Sequence, residues 1–222
     1  MEKRPSHSSF SASSTSPRDV HLASKLRALA AVDNARLAAT TLALLMGMTV
    51  LGVSGNTLAV YDHTKLPATA PGAVSALPGL WPSEFNMRPT VSLVAGSVFV
   101  VLAGVAGLVG GKVKAVRANK MVHTSTSLAA PLVGLVAALV AVIFFYAVNA
   151  SEEVDTFLSW TCRWKAVPMA TQPRWDTLCA QSWTGVYMAV LLIPVEAAAL
   201  GMAVWCRKAE KEVDEYEAAQ GK

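Results

Sequence analysis

Charge is scarce in this sequence, and its scarcity is concentrated. Asp, Glu, Lys and Arg make up 15% of the 222 residues, against about 25% in an ordinary soluble domain. Residues 37–60, 91–109, 128–148 and 186–205 contain no Lys, Arg or Asp, and Glu196 is the only formal charge in any of them. A helix buried in a soluble core keeps a polar face; these four runs have none. Each approaches or exceeds the roughly 20 residues that cross a hydrocarbon core. The expected fold class is an all-α membrane protein, a bundle of four transmembrane helices.

Other absences exclude chemistry. There is no CxxC, HExxH, GxSxG or P-loop motif, so thiol redox, zinc hydrolysis, acyl transfer and nucleotide binding have no signature here. His7, His21, His63 and His123 do not pair with Cys or acid at metal-ligand spacing. No enzyme activity, metal or cofactor is expected. The net charge of +4 does not form a patch on a soluble domain, which argues against nucleic acid as a partner.

What charge there is sets an orientation. Six Lys or Arg precede the first run, and Lys112, Lys114, Arg117 and Lys120 crowd an acid-free loop between the second and third. Positive residues favour the cytosol. Both termini and loop 110–127 are therefore expected there, with loops 61–90 and 149–185 outside. The localisation expected is integral to the plasma membrane or an endomembrane. The bilayer is the first partner, and copies of the chain or other membrane proteins are the next.

Four regions follow. Residues 1–19 are Ser-rich and lack the apolar area to offset ordering entropy. Residues 20–36 are a basic, amphipathic juxtamembrane segment, either a helix on the inner leaflet or an extension of the first span. Residues 37–206 form the membrane domain. Residues 207–222 form a charged tail that continues the fourth span for a few turns through Lys–Glu pairs at helical spacing.

Only three cysteines are present. Cys162 and Cys179 share the second outer loop, where oxidation is allowed, and a disulfide between them is expected. Cys206 follows Trp205 and precedes Arg207 and Lys208, which makes it a palmitoylation candidate. Asn149-Ala-Ser151 is a formal glycosylation sequon, set awkwardly at the end of the third span. No Trp lies inside a span core. Four of the six tryptophans fall in loop 149–185, either as an aromatic belt at the headgroups or as part of a disulfide-pinned cap.

Helices in lipid approach through small residues. Each span carries a ladder at four-residue spacing: Ala39, Ala43 and Gly47; Ala103, Gly107 and Gly111; Ala130, Gly134 and Ala138; Ala197 and Gly201. Pro131 is expected in the first turns of the third span, and Pro194 to kink the fourth.

Glu196 sits in LLIPVEAAALG, about 15 Å from Cys206 at helical rise. An ionised acid at that depth costs at least about 2.5 kcal/mol, so it needs a partner or a proton. No span offers a base. Thr49 is the expected polar neighbour, and Glu196 is expected to hold its proton at neutral pH. Three roles remain open: a hydrogen bond to Thr49 or to a carbonyl near Pro194, a proton or cation path, or a contact with another subunit. The first is preferred, because coupled transporters bring several polar groups to the midplane and this chain brings one. The alternative is a small proton- or ion-coupled transporter or channel subunit using Glu196.

Three stretches carry a resemblance: ARLAATTLALLMGMTVLGVSGNTLAVYDHTKLP, the basic loop after the second span, and IFFYAVNASEEVDTFLSWTCRW. The layout resembles four-span integral membrane proteins of filamentous fungi. Its topology is also similar to MARVEL-type proteins, which implies membrane organisation or trafficking without catalysis. The CCG of tetraspanins is missing from the large outer loop. The Trp/Cys set lies in the second outer loop, where claudins would place it in the first.

Overall fold

The computed structural model describes residues 17–65, 80–112, 120–151 and 154–220. The expectation for the Ser-rich tail over 1–16 and that for the basic loop over 113–119 lie outside those residues, as do residues 66–79; the packing of Gly111 is likewise outside the description.

Five helices make up the described chain: α1 Pro17–Thr64, α2 Arg88–Lys112, α3 Lys120–Ser151, α4 Phe157–Arg163 and α5 Trp175–Gln220. All but α4 are long and apolar enough to cross a membrane. Helix α1 opens on Pro17, whose missing N–H costs nothing in a first turn. It continues unbroken for 48 residues, so segment 20–36 extends the first span instead of forming a separate surface helix. Helix α5 runs for 46 residues and carries the charged tail as helix to Gln220. Each is about 70 Å long at 1.5 Å per residue, more than twice a hydrocarbon core. The excess of both projects on the same side, where Lys25 Nζ of α1 meets Glu212 of α5 at 3.6 Å. Helix α3 begins at Lys120, so Pro131 lies well inside it and not in its first turns.

The long helices form a four-cornered bundle in the order α1, α2, α3, α5. Small residues set the seams. A β-carbon added to Gly96 would stand 2.6 Å from the Ala141 methyl and 3.1 Å from the Ala137 carbonyl oxygen. At Gly107 it would stand 3.2 Å from the Ala130 methyl, and at Gly47 3.0 Å from Val100 Cγ1. At Gly185 it would meet Ser54 Oγ at 3.1 Å. Ala43 and Ala138 are fully buried beside Val100 and Leu192.

The fourth ladder is a correction. Ala197 and Gly201 face outward, and a β-carbon at Gly201 would meet nothing within 4 Å. The inward face of α5 is Val186, Ala189, Leu192, Glu196, Ala199 and Ala203, a three- and four-residue alternation that follows the 3.6 period. Gly96→Ala should therefore lower bundle stability by about 1–3 kcal/mol through overpacking. Gly201→Ala should raise it by about 0.5–1 kcal/mol, because alanine loses less backbone entropy in a helix. Thermal unfolding in lipid nanodiscs measures both, and equal shifts at the two sites would contradict these seams.

Candidate functional site

Two features stand apart from ordinary span packing: the cap built by residues 80–87 and 154–178 at one end of the bundle, and the acid inside the bundle.

The cap begins where the bundle should leave the hydrocarbon. From Arg36 to Asn56, α1 is free of charged and amide side chains. Those twenty steps cover about 30 Å, the thickness of a hydrocarbon core. At the cap-side limit Asn56 Nδ2 donates to Gln181 Oε1 at 2.9 Å. Beyond it, Val60, Trp81, Phe157, Trp175 and Leu178 form a separate buried cluster, flanked by Tyr61, Phe85 and Trp160. The Trp81 ring lies 5.0 Å from Trp175 and packs edge-on, the favoured aromatic geometry. Trp81 Nε1 donates to Thr64 Oγ1 at 2.9 Å, and Trp160 Nε1 donates to the Leu80 carbonyl at 3.3 Å.

Trp81 and Trp175 are thus core residues of a cap, while Trp164, Trp183 and Trp205 are exposed. The α1–α2 and α3–α4 connections interlock through an isolated parallel bridge, Asn86 with Thr156, and the Asn86 N–H donates to the Asp155 carbonyl at 3.0 Å. Thr156 starts α4 with a capping box to Ser159. The Asp155 carboxylate accepts from both terminal nitrogens of Arg163 at 2.9 and 3.1 Å. Cys162 and Cys179 are joined as a disulfide, with Cα atoms 4.8 Å apart, and pin α4 to α5. The Asn149 side chain ties the end of α3 to the cap. Its Nδ2 donates to the Phe145 carbonyl, and its Oδ1 accepts from Thr156 Oγ1 at 2.7 Å. The nitrogen a glycan would occupy is engaged. Cys206 is half-buried beside Asp33 and Arg36 of α1.

Glu196 is 5% exposed. Its carboxyl lies against the bare backbone of Gly134 on α3, where a β-carbon would fall 2.6 Å from the carboxyl carbon and closer still to one oxygen. No hydrogen bond or ion pair to this carboxyl is present among the described residues, and the one fully buried side-chain nitrogen or oxygen without a partner among them is Arg36 Nε. At this depth the buried cluster is Ala43, Val100, Ala138 and Leu192, one residue from each spanning helix. An ionised carboxylate there would have no donor and no cation, a state disfavoured in hydrocarbon.

Thr49 is not its partner. Thr49 is exposed, and its hydroxyl donates to the Leu45 carbonyl of its own helix at 2.9 Å. The reason is register. Asn56 meets Gln181 and Lys25 meets Glu212. In this antiparallel pair each step up α1 matches one step down α5. Both contacts place Glu196 level with residue 41, about two turns from Thr49. Helix α5 continues through Pro194, which faces outward while Glu196 faces inward.

Gly96, Gly104 and Gly185 and the Asn56–Gln181 pair are structural residues that the four-residue ladders did not reveal. Gly96 and Gly104 stand eight apart, two helical turns, and that spacing was a readable signal. Comparison of the chain with protein-family models, with curated proteins and with solved structures finds no match to any of them.

Proposed function

We propose that this chain is a non-catalytic, multi-pass membrane protein that organises a membrane domain, with lipid and neighbouring membrane proteins as its partners and both termini in the cytosol. The cap is the observation that carries this reading. Two loops fold together over one aromatic core and are pinned by a disulfide, which gives the outer side a rigid surface of its own. Trp164 and Val167 are exposed on it and supply apolar contact area at low entropic cost. The MARVEL-like layout read from the sequence points the same way. The lone acid packs on backbone instead of joining a chain of polar groups, which favours packing over conduction.

Removing the protein from its native membrane should change the distribution of neighbouring proteins and lipids. Unchanged distributions would count against the reading. Reconstituted liposomes should show no proton or ion flux under an imposed gradient. A flux abolished by Glu196→Gln would replace the scaffold with the transporter alternative.

A further inference from the structure

The bundle is assembled from two tight pairs. Helices α1 and α5 stay in register along their length, from Lys25–Glu212 through Gly185 against Ser54 to Asn56–Gln181. Helices α2 and α3 are equally close at Gly96–Ala141 and Gly107–Ala130. The pairs meet along two junctions. The α1–α2 junction is apolar, with Gly47 on Val100 and Gly104 on Leu44. The α3–α5 junction is apolar in its outer half, where Ala141 and Phe145 meet Val186 and Ala189. Further in, it rests on a carboxyl against a glycine.

We infer that Glu196 and Gly134 form a single-proton binding site that latches the two helix pairs together. The neutral carboxyl fits the notch left by the missing Gly134 side chain. Loss of the proton to water leaves a carboxylate with no donor in contact, and it regains solvation only if α3 and α5 draw apart on the inner side. The proton is the only species exchanged, and no other bond forms or breaks. The closed junction therefore holds the proton, is favoured in acid and is lost as pH rises. Among the described residues the buried hydrophobic neighbours at this depth are Ala43 of α1, Val100 of α2 and Ala138 of α3. Among the described residues, Arg36 and Asp33 of α1 stand beside Cys206 of α5, toward the end of the bundle where Lys25 meets Glu212. The cap clamps the outer end, so the movement is confined to the inner half.

The test uses the full chain in lipid nanodiscs with Cys206→Ser and nitroxide labels at Ala129→Cys and Val204→Cys, two exposed positions inward of the latch on α3 and α5. Between about pH 5 and about pH 9 the label separation should grow by roughly 2 Å or more. Glu196→Gln should keep the short separation across the range. Gly134→Ala should give the long separation throughout, because its methyl occupies the carboxyl's place. A separation that ignores pH while Glu196 is present overturns the latch, as does an unchanged pH response in Glu196→Gln. The readout is indifferent to what the bundle organises, so the latch and the scaffold reading fail separately.

Discussion

Phe157→Ala should destabilise the aromatic cap by about 3–5 kcal/mol and leave the four spans helical. Phe157 is 1% exposed. Its ring centroid lies 4.7 Å from Phe85, 5.5 Å from Tyr61 and 5.7 Å from Trp81. Those rings come from α1 and the connection between α1 and α2, so Phe157 is the wedge that joins α4 to both. The cavity left by alanine cannot close easily. Trp81 is tethered to Thr64 through its indole nitrogen, and Tyr61 is fixed on a long helix. Lost transfer energy and a persistent void therefore add. Near-ultraviolet circular dichroism during heating should show the aromatic signal melting earlier than in the parent, while the far-ultraviolet helix signal holds. Trp164→Ala is the control: Trp164 is exposed, and its loss should shift the transition little. Coincident loss of both signals in Phe157→Ala would mean that the cap and spans are one cooperative unit.

The four spans were legible because lipid imposes one demand on every side of a helix: no charge and enough length. That same demand erased the information about faces. In a soluble helix, polar residues mark the outside. Here Gly96, which touches α3, and Gly201, which touches nothing within 4 Å, stand in equally apolar surroundings. Four-residue ladders consequently identified the α1, α2 and α3 contacts at Gly47, Gly107 and Gly134 and misassigned α5. The disulfide was legible because two cysteines share one connection between spans. The acid was legible as an anomaly, but its neighbour was not. Counting from the end of one helix gives a depth. Partner identity also needs the register between helices, fixed here by contacts as distant as Lys25–Glu212 and Asn56–Gln181. The aromatic cap was hidden for a related reason. Trp81 lies between α1 and α2 and Trp175 opens α5, and nothing local distinguishes a tryptophan at a headgroup from one in a core.

Replacing Cys162 and Cys179 together with serine should cost about 3 kcal/mol, the chain-entropy value for a loop of this length. The two positions are 17 apart in sequence, and the bond joins a seven-residue helix to the start of α5. A helix as short as α4 does not persist by itself; its buried Phe157 and Thr161 and the disulfide hold it in place. Without the bond, the segment between α4 and α5 should open before the spans do. Arg163, Lys165 and Arg174 are already exposed there, so trypsin should cut at these sites much faster in the serine variant. Sealed vesicles turn the same digestion into a test of orientation. Cleavage from the non-cytosolic face alone places this loop outside, and the parity of four spans then places both termini in the cytosol. Cleavage from the cytosolic face would invert the topology. It would also put the disulfide in a reducing compartment, where a structural bond of this kind is rare.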